Sequence, residues 1–370
     1  MKILAALLFL AVELNFVSPA EQQPKYPQLE KQDSLTENIF LITTDGFRWN
    51  EIFNGADSLL INDKEYTKDP ELCKLLYWSD NPEERRKKLM PFLWNVVAVK
   101  GQLLGNREFN NEVNVSNIFG FSYPGYNELL TGTTDIMVNT NRKLNNSNQS
   151  FLEKLNKEDR YRNKVAAFTS WDVFPYIFNE KRSGIVINSG YKNVEGKDLT
   201  EGQQKLNTVQ SQLVNEKKST RYDMLTFVSA KEFIDKNHPE IVYIGFGETD
   251  EWAHSGRYDM YLKQANQFDK FLEELWYYVQ TNDIYKNKTT FIITTDHGRG
   301  YEYESSWKRH GPLTPGSKKI WAAMIGPGIV PLGEIKVAGE LKQKNISRLL
   351  VNMLGKEDKT ATNDTLIAVK

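Results

Sequence analysis

The chain has 370 residues, with 47 Lys and Arg against 48 Asp and Glu, so its net charge is near zero. That balance excludes a protein built around a nucleic-acid backbone or an anionic membrane surface, since both select an excess of cations. The single cysteine, Cys73, excludes an internal disulfide framework and reads as a small partly buried residue; a core of this size must be held by apolar packing.

In chain order, Met1-Lys2 is followed by the apolar run Ile3 to Val12 and then by Ser18-Pro19-Ala20. This is the layout of a cleavable export signal over residues 1–20, and the run is too short to span a bilayer. Glu13 weakens the apolar stretch and no cysteine stands nearby to accept a lipid, so no membrane anchor is expected. Export without disulfides suits a bacterial periplasm or a secreted bacterial protein. Residues 21–370 show no repeat and no linker composition, which predicts one domain.

Asn38-Ile39-Phe40-Leu41-Ile42-Thr43-Thr44 is a β-branched run closing on Asp45-Gly46, the pattern of a buried strand with a turn behind it. The polar stretch from Asp57 to Lys88 has no strand period and reads as an insertion near 57–88. Helical spacing follows from Arg221 to Lys236, with Met224, Leu225, Val228, Phe233 and Ile234 on the apolar side. Glu240 to Gly247 is a second buried strand, Tyr258 to Val279 a long helix, and Thr289 to Thr295 a third strand. Lys319 to Gly326 predicts a fourth, and Asn345 to Leu354 a last helix stopped by Gly355. His238, before Pro239, reads as an ordinary helix-end residue. Strands apolar on both faces with helices between them predict an α/β fold: a three-layer α/β/α sandwich around a mostly parallel sheet. In such sheets ligands gather at the C-terminal ends of the strands.

Three of the four histidines stand beside aspartates at those ends. The clusters are Thr249-Asp250-Glu251-Trp252-Ala253-His254, Thr294-Thr295-Asp296-His297-Gly298 and Arg309-His310-Gly311-Pro312, with Asp45 as a fourth piece. Each alone has a plain explanation: a hydrogen-bonded turn, a helix-face pair four residues apart, a loop histidine. Together they make three carboxylates and three imidazoles. That mixed set can hold two divalent ions, zinc first, with manganese or iron as alternatives.

Strand–Asp-Gly, Ser-Tyr-Pro-Gly, Thr-Asp-x-x-x-His, Thr-Asp-His-Gly and His-Gly-Pro, in this order, resemble the alkaline phosphatase superfamily. The likeness runs from about Asn38 to the last helix, with the Asp57–Lys88 and Lys181–Thr220 regions unmatched, and is greatest to the nucleotide pyrophosphatase/phosphodiesterase branch and related bacterial hydrolases. The resemblance implies that Asp250, His254 and His310 bind one ion. It implies that Asp45, Asp296 and His297 bind the second, with Ser122 coordinated to it as nucleophile and phosphorylated during turnover. An asparagine after the nucleophile donates to a phosphoryl oxygen in those relatives, and here Asn139 or Asn141 follows at a shorter interval.

The substrate expected is a small phosphate ester, a nucleotide among the candidates. One monoesterase branch carries Lys-x-Arg after a strand, where this chain has Thr169-Ser170-Trp171-Asp172. That departure favours a phosphodiester or nucleotide pyrophosphate, whose extra substituent needs an apolar wall from Tyr123, Trp171, Phe174 and Tyr176. The alternatives are a phosphomonoesterase, then a sulfatase, which would need arginine where Tyr126 stands. A catalytically silent metal-binding protein on the same scaffold is a further alternative.

Overall fold

The structure is a computed structural model that describes residues 36–214, 217, 219–301 and 304–356. The export signal expected over residues 1–20 lies outside them. Among the described residues eleven strands are formed: β1 (Asn38–Thr44), β2 (Gly101–Leu104), β3 (Asn111–Asn114), β4 (Val165–Thr169), β5 (Val186–Ser189), β6 (Ile241–Phe246), β7 (Thr289–Thr294), β8 (Lys319–Ile320), β9 (Ala322–Ile325), β10 (Gly333–Glu334) and β11 (Gly339–Lys342). Eight of them make one sheet in the order β10-β2-β9-β7-β1-β6-β4-β5, and β11-β3-β8 make a smaller second sheet.

β1 lies at the centre of the large sheet, parallel to β6 on one side and to β7 on the other. Only β9 among these eight runs antiparallel to its neighbours. The apolar run of β1 divides by strand alternation: Phe40 and Ile42 enter one core, Ile39 and Leu41 the other. On the first face the Tyr258–Thr281 helix contributes Leu262, Phe268, Leu272 and Leu275. On the second face the Ser122–Thr131 helix contributes Tyr126, Leu129 and Leu130, joined by Ile346 and Leu350 from the Gln343–Met353 helix. The arrangement is the α/β/α sandwich expected from strands that are apolar on both faces.

Two expectations are refined. The run read as one strand from Lys319 to Gly326 breaks at Trp321: β8 pairs with β3 in the small sheet, and β9 with β2 and β7 in the large one. Trp321 is fully buried; its indole Nε1–H donates to the Phe47 carbonyl at 2.9 Å, and its own carbonyl accepts from Thr294 Oγ1 at 2.6 Å. Those side-chain demands turn the backbone from one sheet to the other. The Asp57–Lys88 stretch is helical: Ser58–Asn62, Pro70–Tyr77 and Pro82–Leu89, with Asp57, Asp69 and Asn81 as side-chain N-caps. Proline at the first helical position of the latter two gives up an N–H that a helix start leaves unbonded anyway. His238 ends the Asp223–Asn237 helix in left-handed backbone, and Cys73 is buried. No helix among the described residues is long and apolar enough to cross a membrane.

Candidate active site

Asp45 follows the last residue of β1, Asp250 sits in the helix just past β6, and Asp296 lies two residues beyond β7. Three adjacent parallel strands therefore deliver three aspartates to one edge of the sheet. Two groups result, in each of which the ligand atoms lie within 4.8 Å of one another: Asp250, His254 and His310, and Asp45, Asp296 and His297. The groups touch, because the His297 and His310 rings stack with centroids 3.9 Å apart.

In the first group, His254 Nε2 lies 3.3 Å from Asp250 Oδ2, and His310 Nε2 lies 3.6 Å from Asp250 Oδ1. The two Nε2 atoms face each other at 2.9 Å. His310 Nδ1 is 3.3 Å from the Gly120 carbonyl, which directs the other ring nitrogen at the cluster. Burial, aided by His297, pushes His310 down to about 2, so the ring is neutral at ordinary pH, the form that ligates metals. Burial opposes ionisation of Asp250. Arg299 and the His254 hydrogen bond outweigh it and hold the carboxyl well below the usual range.

In the second group, His297 Nε2 lies 3.3 Å from Asp45 Oδ1 and 3.4 Å from Asp296 Oδ2, while Nδ1 meets the Gly298 carbonyl at 2.9 Å. Burial raises both Asp45 and Asp296 well above the carboxylate range, and repulsion from Asp250 and from Asp45 respectively adds to it. Asp296 Oδ2 is buried with no hydrogen-bond donor. Crowded carboxylates short of positive charge, an orphaned oxygen and imidazole nitrogens are a donor set that suits a divalent cation. The residues fit the ions.

Ser122 is the first residue of the Ser122–Thr131 helix and almost fully buried. Its hydroxyl donates to Asp45 Oδ1 at 3.4 Å and lies 3.3 Å from His297 Nε2. The Ser-Tyr-Pro-Gly sequence explains the approach. Pro124 falls in the first turn, where a helix needs no N–H, and a Cβ on Gly125 would lie 2.5 Å from the Asp296 carbonyl oxygen. Asn141 Oδ1 accepts from the Tyr123 backbone N–H at 3.0 Å, beside the serine. Asn139 is not brought there; its amide donates to the Ile136 carbonyl.

The aromatic wall is smaller than expected. Tyr123 is buried, its hydroxyl donating to the Leu144 and Tyr176 carbonyls, and Phe174 packs against Tyr126 and Tyr243. Both rings are core. Trp171 and Tyr176 keep partial exposure. Two contributors had no sequence signal beyond proximity to a motif: Tyr126, whose hydroxyl donates to Asp45 Oδ2 at 3.0 Å, and Arg299, which is paired with Asp250.

The pattern of the Metalloenzyme superfamily matches residues 112–310, more than half of the chain. The chain belongs to this superfamily, whose fold is that of alkaline phosphatase. Solved structures of similar fold include the alkaline phosphatase PafA, at 10% identity and TM-score 0.55, covering 90% of this chain and 99% of that one. The lipoteichoic acid synthase LtaP from Listeria monocytogenes gives 13% identity and TM-score 0.53, covering 88% and 73%. The phosphonate monoester hydrolase SpPMH from Silicibacter pomeroyi gives 11% and 0.50, covering 87% and 74%. No curated protein matches the chain in sequence. At these identities the likeness is one of fold; it is the superfamily match that makes the chain an alkaline-phosphatase-like metalloenzyme, and the two acid–histidine groups are its candidate sites for divalent ions.

Proposed function

We propose that this protein hydrolyses phosphate diesters or nucleotide pyrophosphates, with Ser122 as nucleophile beside a pair of divalent-ion sites. The observation that carries the reading is the meeting of the Ser122 hydroxyl with Asp45 and His297 of one acid–histidine group, which the stacked His297 and His310 rings join to the other group at the same sheet edge. Asp250, His254 and His310 would hold one ion and Asp45, Asp296 and His297 the other, zinc first. Ions held there supply Lewis acidity that makes a serine hydroxyl nucleophilic at neutral pH and balances charge on the phosphoryl group.

The chain's own groups do the rest. Ser122 stands at the N-terminus of its helix, where the first-turn N–H groups favour an anion. Its Oγ forms an ester bond to phosphorus as the bond to the leaving group breaks, an alcohol from a diester or a phosphate from a pyrophosphate, and the serine proton reaches that group through solvent. Water then breaks the phosphoseryl bond and restores the hydroxyl. Asn141 accepts from the Tyr123 N–H through Oδ1, which leaves its NH₂ to donate to a phosphoryl oxygen.

Diester preference is supported by what surrounds the serine. Among the described residues no lysine or arginine is hydrogen-bonded to Ser122, and Asp172, after β4, pairs with Lys143 at 2.6 Å. A terminal phosphate dianion calls for an unpaired cation, whereas Lys143 is already engaged by Asp172. A sulfatase reading is disfavoured by Tyr126, buried and bonded to Asp45 where that chemistry needs arginine. We also read residues 1–20 as an export signal, which N-terminal sequencing of the mature protein would show as a start at Glu21.

The test is the ratio of initial rates on a paired aryl phosphate diester and monoester with zinc supplied. The diester is expected to be the faster substrate. A monoester rate higher by about a hundredfold or more would assign a phosphomonoesterase on the same residues.

A further inference from the structure

Arg299 lies three residues beyond Asp296 and belongs to neither ligand group, yet its side chain is completely buried at their junction. Its Nε donates to the Trp307 carbonyl at 2.8 Å, its Nη2 to the Lys308 carbonyl at 2.9 Å, and its Nη1 to Asp250 Oδ1. One planar group thus ties together three separate segments. The first is the turn after β7 that bears Asp296 and His297. The second is the Glu248–His254 helix that bears Asp250 and His254, and the third is the Glu304–Lys308 turn that leads to His310.

We propose that Arg299 is a positioning residue that sets Asp250 and His310 in register with the Asp45–Asp296–His297 group, and so builds the first ion site from the second. The inference rests on the two-ion reading above. Its support is geometric. The guanidinium is a rigid fork able to satisfy two carbonyls and a carboxylate in one plane, which a lysine ammonium on a flexible stem cannot. The surroundings are cut to fit it: Gly46 is at φ +57°, and a Cβ there would lie 2.6 Å from Arg299 Nη1 and 2.8 Å from Asp250 Oδ1. Each of its three nitrogens already donates inward, and its side chain has no exposed surface, so it does not clamp the substrate.

The experiment titrates the metal-free, full-length protein with Co²⁺, followed by visible absorption, and with Zn²⁺ in competition with a chromophoric chelator. Wild type should bind two ions per chain; fewer would sink the two-ion reading itself, independently of Arg299. The step missing in Asp250→Asn identifies the first site. In Arg299→Lys and Arg299→Met that step is expected to weaken roughly 10- to 100-fold while the other stays within about twofold. Both steps unchanged, or both weakened alike, would overturn the proposal and leave Arg299 an ordinary core residue. If Arg299→Met does not fold, Arg299→Lys carries the same comparison. ¹⁵N-arginine NMR of the wild type adds a readout that needs no variant. The buried Nε–H is expected to shift with the first-site step, and an Nε–H resonance indifferent to it would count against the proposal.

Discussion

A methyl group at position 125 would press into the Asp296 carbonyl oxygen, so the glycine of Ser-Tyr-Pro-Gly sets how closely the helix of Ser122, the proposed nucleophile, approaches the Asp45–Asp296–His297 group. Gly125→Ala is expected to weaken ion binding there and lower kcat roughly 10- to 100-fold, read by metal content and initial rate on one preparation. Asn141→Ala should lower kcat on a diester by about a hundredfold and leave metal content unchanged, because its NH₂ is assigned to the phosphoryl oxygen and its Oδ1 to the Tyr123 N–H, neither of them a group that would ligate an ion. The residues with scarce chemistry were the legible ones: a histidine beside an aspartate at a strand end stands out from composition. Arg299 and Tyr126 were not legible, since a lone arginine or tyrosine near a motif is ordinary until its partners are seen. The converse failure is Tyr123, whose aromatic character suggested a substrate wall although the ring is core.

Within elements, the loop before Ser122 hangs on a buried carboxylate of the helix it leads into. Glu128 accepts from the Ser116 N–H, the Asn117 N–H and Asn117 Nδ2 at 2.8–3.0 Å, and Asn117 Oδ1 accepts from the Phe119 and Gly120 N–H groups. Glu128→Ala strands those donors and should cost about 3 kcal/mol in urea unfolding. Asp269, in the Tyr258–Thr281 helix, accepts from the Phe92 and Leu93 N–H groups, and burial pushes its carboxyl up to about 7. A folded value above the unfolded value near 4 means the native state binds the extra proton between those limits. Its contribution is therefore full below about pH 4 and lost as pH rises through about 7. Asp269→Asn should flatten that slope in a series of urea midpoints across pH. Periodicity revealed the central strands because they are buried on both faces. It missed the break at Trp321, where the backbone obeys two side-chain hydrogen bonds and not the apolar run.

For the molecule as a whole, the sandwich was legible because its two cores draw on alternate residues of the same strands. The helical character of Asp57–Lys88 was not, since capping there is local and the stretch lacks a long apolar stripe. Asp45, Asp250 and Asp296 gather at one edge without a matching number of protein cations, so ions bound there should stabilise the native state. Chelation is expected to lower the melting temperature, and saturating zinc at about a thousandfold over its Kd to restore about 4 kcal/mol per site. The central claim, serine chemistry at a two-ion site, is tested most directly by the initial rate of diester hydrolysis by zinc-loaded Ser122→Ala. At a metal content equal to wild type, the rate is predicted to fall by at least about a thousandfold. A variant that turns over at the wild-type rate would contradict it.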